Sequence, residues 1–112
     1  MIKSIVAVVP VTNIEATLEV LSRVGFKLNW AHDPAGNGIR YASVGDEHGN
    51  ELHLSESRGD GHGPVVVYFW TDDIDALAAK ARETAEDQTW QTREFWLKDA
   101  DGNSFRFGQR LN

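Results

Sequence analysis

The chain has 112 residues and 12.5 kDa, with 41% hydrophobic and 25% charged residues, values that suit one folded domain with one core and argue against a two-domain enzyme or a disordered chain. Eleven Lys and Arg against 17 Asp and Glu give a net charge of −6, spread as 4 positive and 7 negative charges over residues 1–56 and 7 and 10 over residues 57–112. Such a surface repels phosphate backbones and draws in cations, and the absence of cysteine excludes disulfides, thiolate metal sites and cysteine nucleophiles.

In chain order, Ile5-Val6-Ala7-Val8-Val9 is too short to span a bilayer and runs into Pro10-Val11-Thr12-Asn13 without a small-residue cleavage site. It reads as a buried strand, and the chain as cytoplasmic. Asn13 is a helix cap, and Ile14, Leu18, Leu21 and Val24 form one stripe at helical spacing that Gly25 ends. Strands are expected over 26–31, 39–44 and 51–55, separated by Asp33-Pro34-Ala35-Gly36 and Asp46-Glu47-His48-Gly49, both turn sequences. The stretch Arg58 to Pro64 is a linker. Beyond it the plan repeats: a strand over 65–69, a helix striped by Ile74, Leu77, Ala78 and Ala81, a short strand near Thr89-Trp90, and strands over 94–98 and 104–108 joined by Asp99-Ala100-Asp101-Gly102.

The repetition is literal. Arg40, Asp46, Gly49 and Asn50 recur as Arg93, Asp99, Gly102 and Asn103 at an offset of 53, and Leu52-His53-Leu54 falls on Phe105-Arg106-Phe107. Upstream, Thr12-Asn13-Ile14-Glu15-Ala16 matches Asp72-Asp73-Ile74-Asp75-Ala76 at an offset of 60, so the second copy is seven residues shorter between helix and third strand. The reading is a single domain over 1–112, with module one at 1–57, the linker at 58–64 and module two at 65–112, each module a βαβββ unit.

Duplicated βαβββ modules with the turn Lys98-Asp99-Ala100-Asp101-Gly102-Asn103 and the helix entry Asp72-Asp73-Ile74-Asp75-Ala76 resemble the vicinal oxygen chelate superfamily, the glyoxalase/bleomycin-resistance fold of the α+β class. Val8-Val9-Pro10-Val11 and Trp90-Gln91-Thr92-Arg93-Glu94-Phe95 look most like its bleomycin-resistance branch. The resemblance implies that the strands of each module curl into a half-barrel cup with the helix outside. Strand alternation then assigns the lining: with Leu52 and Leu54 toward the helix, Glu51, His53 and Ser55 face the cup, and with Phe105 and Phe107 toward the helix, Ser104 and Arg106 do. The same logic puts Val6, Val8, Val66, Tyr68, Trp70, Glu94 and Trp96 on the cup wall and Phe69, Phe95 and Leu97 against the helix.

Metal-dependent members of that superfamily bind their ion through one side chain on each of four strands, typically two His and two Glu, and the matching positions here are Val6, His53, Val66 and Arg106. Two valines and an arginine do not hold a divalent cation, so neither metal nor other cofactor is expected. His48 lies in a turn and His62 in the linker, and both read as solvated surface. His53 reads either as a ligand-binding group or as a core histidine satisfied by a carboxylate such as Glu94. No Gly-x-Ser-x-Gly element supports a hydrolytic triad.

Four Trp in so short a chain point instead to a binding surface, because flat ligands between aromatic faces gain about 0.5–1.5 kcal/mol beyond area burial. Trp30 stands where bleomycin-binding relatives carry an aromatic that stacks on the drug's planar heterocycles. The candidate ligand-binding set is Trp30, His32, Tyr41, His53, Tyr68, Trp70, Trp90, Glu94, Trp96 and Arg106, with no catalytic residue. The resemblance implies a metal-free protein, not an enzyme, that confers resistance by sequestering a planar cationic antibiotic of the bleomycin type in aromatic grooves at a homodimer interface. Exchange of the N-terminal strand, hinged at Pro10, is one form such a dimer takes. Two alternatives stay open: a small enzyme of the same superfamily, acting through His53 and Glu94 or an atypical metal site, and a binder of another planar aromatic natural product. Neither nucleic acid nor membrane is an expected partner.

Overall fold

Asn13 and Asp73 start the two helices in the same way: each side chain accepts a hydrogen bond from a backbone N–H three residues on, that of Ala16 at 2.9 Å and that of Ala76 at 3.1 Å. The helices α1 (Ile14–Ser22) and α2 (Ile74–Lys80) bury Ile14, Thr17 and Leu21, and Ile74 and Ala78. In the computed structural model, which describes residues 1–112, these helices alternate with β1 (Ala7–Pro10), β2 (Lys27–His32), β3 (Tyr41–Gly45), β4 (Glu51–Ser55), β5 (Val66–Trp70), β6 (Glu86–Asp87), β7 (Thr92–Lys98) and β8 (Ser104–Arg110). Neither helix is long and apolar enough to cross a membrane.

The strands form two open, cup-like mixed sheets, ordered β1-β4-β3-β2 and β5-β8-β7-β6, in which the first strand pairs in parallel with the last of its module. Both repeat offsets reappear as strand register. Ala7 faces Leu52 and Val67 faces Phe105, while Tyr41 faces Ser55 as Glu94 faces Gly108. The repeated residues have repeated jobs. In each β-hairpin the Asp side chain accepts from the backbone N–H and the side-chain amide of the Asn four residues later, Asp46 with Asn50 and Asp99 with Asn103, all at 2.8–2.9 Å. Gly49 and Gly102 supply the left-handed turn residue at φ 83° and 82°. Arg40, just before β3, clasps Glu15, and Arg93, on β7, clasps Asp75, each pair tying the sheet side to the first turn of the module's helix.

One cluster of 18 buried apolar side chains runs through both modules, taking Val9, Leu52 and Leu54 from one sheet and Phe95, Phe105 and Phe107 from the other. Phe107 stacks between Phe69 and Phe95 at centroid separations of 4.6 and 4.8 Å, and Phe26 meets Phe69 across the module boundary at 5.9 Å. The modules are also cross-tied by hydrogen bonds from Asn103 to the Pro10 carbonyl, from Thr17 to Asp99 and from Thr12 to Asp101.

Two expectations are corrected here. The first strand is not a buried one: it begins at Ala7, and within it only Val9 is buried, while Ile5 and Val8 are exposed. It is an edge strand with β4 as its sole partner, so one face looks into the core and the other into the open cup. The short strand placed near Thr89-Trp90 lies at Glu86–Asp87 instead, paired with Arg93 and Glu94, and Trp90 occupies the turn that follows.

Candidate functional site

The open face of the first sheet carries a cluster built on β2, β3 and β4. Trp30 stacks on Tyr41 at 6.1 Å between centroids with 16° between planes, and touches His32 and His53 at 5.4 and 5.5 Å. The Tyr41 hydroxyl lies 2.8 Å from His53 Nδ1, and Glu51 Oε2 lies 3.2 Å from His53 Nε2. A neutral ring protonated on Nε2 satisfies both, accepting from Tyr41 and donating to Glu51. Ser43 donates to the same Glu51 oxygen at 2.5 Å and accepts from the Asn29 amide at 3.0 Å. These bonds, that of Ser43 foremost and then that of His53, hold the Glu51 carboxyl below its ordinary range, while burial and the negative charges of Asp60 and Glu51 push the Tyr41 phenol up. Ser55, also expected on this face, is covered by the linker turn, where it donates to Asp60 at 2.6 Å.

The open face of the second sheet is organised around one carboxylate. Glu94 is only 3% exposed and accepts from Tyr68 Oη at 2.5 Å, Thr92 Oγ1 at 2.9 Å and Trp90 Nε1 at 3.1 Å on Oε2, and from Trp96 Nε1 at 3.0 Å on Oε1. Burial pushes this carboxyl up, but the hydrogen bonds outweigh it and the group sits below its ordinary value. The Tyr68 phenol is pushed up to about 12, by burial first and then by its bond to Glu94. Tyr68 reaches Glu94 by lying across Gly108, where an added Cβ would meet the phenol oxygen at 1.9 Å. Two guanidinium groups lie on the indoles, Arg106 over Trp96 and Arg110 over Trp70, each 4.6 Å from the ring centroid.

The ten expected site residues therefore divide into two sets, with Trp30, His32, Tyr41 and His53 on the first sheet and Tyr68, Trp70, Trp90, Glu94, Trp96 and Arg106 on the second. No stacking contact or hydrogen bond joins the sets. In particular His53 takes its carboxylate from Glu51 rather than Glu94, so the pair expected for acid–base chemistry is split between sheets. Glu94 itself is an internal hydrogen-bond hub with both oxygens occupied, not an exposed charge. Sequence reasoning missed Asn29, Ser43 and Arg110. Ser43 sits on a strand face that alternation could have flagged. A cleft of about 580 Å³ lies elsewhere, beside the linker, lined by polar groups including Ser55, Arg58, His62 and Asp101 and by none of the ten.

Residues 3–107 match the family described as the Glyoxalase/Bleomycin resistance protein/Dioxygenase superfamily. The chain belongs to that superfamily. No curated protein matches it in sequence. Among solved structures, a bleomycin-binding protein complexed with bleomycin aligns with a TM-score of 0.73 at 17% identity, over 97% of this chain and 99% of that one. A glyoxalase-related enzyme from Clostridium phytofermentans aligns with a TM-score of 0.74 at 20% identity, over 98% and 96%. TnmS3, an antibiotic binding protein from Streptomyces sp. CB03234, aligns with a TM-score of 0.69 at 27% identity, over 98% of each chain. The superfamily thus holds binding proteins and enzymes on one scaffold, and the fold does not choose between them.

The donor set bears on that choice. Of the four positions matched to the superfamily's metal ligands, Val6 and Val66 offer only carbon, Arg106 is a fixed cation, and His53 has both ring nitrogens bonded to Tyr41 and Glu51. These residues do not fit a divalent ion, and no group of three or more His, Asp or Glu converges elsewhere in the chain.

Proposed function

We propose that this superfamily member binds a planar aromatic antibiotic without converting it, protecting by stoichiometric capture. The observation that carries the reading is that Trp30, Tyr68, Trp70, Trp90 and Trp96 remain 38–57% exposed and yet three of them, Tyr68, Trp90 and Trp96, are held in place by hydrogen bonds to one buried carboxylate. Large rings left open to solvent and fixed in orientation are preorganised to receive flat ligands. Bleomycin-type drugs are one such class, and the net charge of −6 favours their capture at long range.

Each chain offers two separate half-faces, and its Cα radius of gyration of 14.7 Å exceeds the roughly 13 Å of a compact chain this long. Both features support a homodimer whose copies close the grooves, exchanging the N-terminal strand or not. The test is isothermal titration with metal-free and copper-loaded bleomycin and other planar antibiotics, beside a non-planar cationic drug, with the ligand recovered afterwards. Saturable binding of one planar ligand per chain and unchanged recovered ligand is the expected result. Turnover of any of them would favour a second reading, acid–base catalysis, which rests on the Tyr41-His53-Glu51 chain of hydrogen bonds and requires that His53→Gln abolish the turnover.

A further inference from the structure

The arginines of this chain fall into clear groups. Arg23, Arg40 and Arg93 hold carboxylates, those of Glu83, of Glu15 with Glu56, and of Asp75 with Asp87. Arg58, Arg82 and Arg110 are exposed to water. Arg106 alone is half-buried without an ion pair, and its Nε is sequestered with no hydrogen-bond partner. The one other buried side-chain polar atom left without a partner is the Ser104 hydroxyl, on the same strand two residues away and therefore on the same face of β8. Ser104 is itself 5% exposed. A chain that satisfies nearly every buried polar atom thus leaves two, side by side, on the open face of its second sheet.

The surroundings explain why no protein group serves them. Arg106 pairs in register with Tyr68 and Trp96, and its guanidinium lies on the Trp96 ring, a stacking that fixes its plane, while its Nε finds no acceptor within the chain. That face carries two carboxylates: Glu94, whose oxygens are both taken by Tyr68, Thr92, Trp90 and Trp96, and Glu86, which pairs with Glu94 in register on the exposed edge strand β6. Arg110 on Trp70 adds a second positive charge, and Lys98, in register with Ser104, a third.

We infer that Ser104 and Arg106 form an anion subsite, and that the ligand of this face is a planar aromatic acid whose carboxylate or ionised phenol is held by the two groups while its rings lie against the indoles. This rests on the binding reading above and sharpens it: the local charge selects an anionic oxygen, opposite to what the net charge of the whole chain suggests. An acceptor in that place makes charge-assisted hydrogen bonds to a guanidinium already desolvated and oriented, so its contribution is large.

Three acridines of one ring and different charge test the inference in the intact protein: acridine-9-carboxylate, acridine-9-carboxamide and 9-aminoacridine, titrated by fluorescence against wild type, Arg106→Gln and Ser104→Ala, with thermal melts to verify that each variant folds. The carboxylate should bind at least tenfold more tightly than the other two, lose that advantage in Arg106→Gln and lose part of it in Ser104→Ala. Equal binding of all three, or preference for the amine, with Arg106→Gln without effect overturns the subsite and leaves the aromatic face as a binding surface. Binding of none overturns both. Should Arg106→Gln instead weaken self-association measured by sedimentation with no change for any acridine, Arg106 serves a second copy of the chain and the inference is wrong.

Discussion

The two modules are copies in scaffold and strangers in lining. The residues that keep their type across the repeat are those that cap helices, close hairpins and face the core: Asn13 and Asp73, Asp46 and Asp99, Leu54 and Phe107. The open faces at the same offset hold Tyr41 against Glu94, Ser43 against Trp96, His53 against Arg106 and Ser55 against Gly108. One face is a Tyr41-His53 relay running out to an exposed Glu51, the other a buried anion roofed by indoles with unpaired cations above. Packing constrains one side of each sheet, while the other side is free to follow its ligand.

If the scaffold halves are equivalent, matched core truncations should cost alike. Leu54→Ala and Phe107→Ala, both at fully buried positions, should each destabilise by about 3–5 kcal/mol in urea unfolding, through one cooperative transition because the core is continuous. Two transitions, or a penalty confined to one variant, would break the symmetry.

The faces should behave differently. Glu94→Gln exchanges two acceptor oxygens for one and buries an amide among four donors, and should cost about 1–3 kcal/mol and change the tryptophan emission. Tyr41→Phe, at the equivalent position, removes a single hydroxyl bonded to His53 and should cost about 0.5–1.5 kcal/mol. Reversal of that order would mean that Glu94 is not the hub of its face.

Acid should separate them further. Because Glu94 is held below its ordinary value in the folded chain, its contribution to stability is complete above the unfolded glutamate pKa of about 4.3 and fades as pH falls through the lower folded value. Melting from pH 7 to pH 3 should show a drop that Glu94→Gln reduces; an identical acid profile in both proteins would contradict the assignment. Gly108→Ala should also lower ligand-free stability, since Tyr68 can swing away from Glu94 only by giving up its hydrogen bond to that carboxylate, about 1.5–3 kcal/mol. Its effect on binding should be larger, because the swung ring blocks the face.

Much of this was legible in the residues. The offsets of 53 and 60 reappear as strand register because a hairpin turn and a helix cap are local chemistry, decided by a few neighbouring side chains. Alternation correctly set Leu52, Leu54, Phe105 and Phe107 against the helices because each strand has one buried face. What escaped depends on register between distant strands and on where strands stop. Ending the last strand at 108 hid Arg110, which the strand carries onto Trp70. The partner of His53 is Glu51 because a same-strand neighbour two residues away shares its face, whereas Glu94 belongs to another sheet. The room that Gly108 leaves for Tyr68 exists only once β5 and β8 are side by side.

The claim that these faces bind flat ligands is tested most directly by titrating planar antibiotics, bleomycin among them, into wild type and into Trp30→Ala and Trp96→Ala, while following affinity and checking the fold by circular dichroism. Saturable binding in wild type that weakens at least tenfold in a folded Trp variant is the result expected. Affinity unchanged in both variants would contradict the account, whichever ligand is bound.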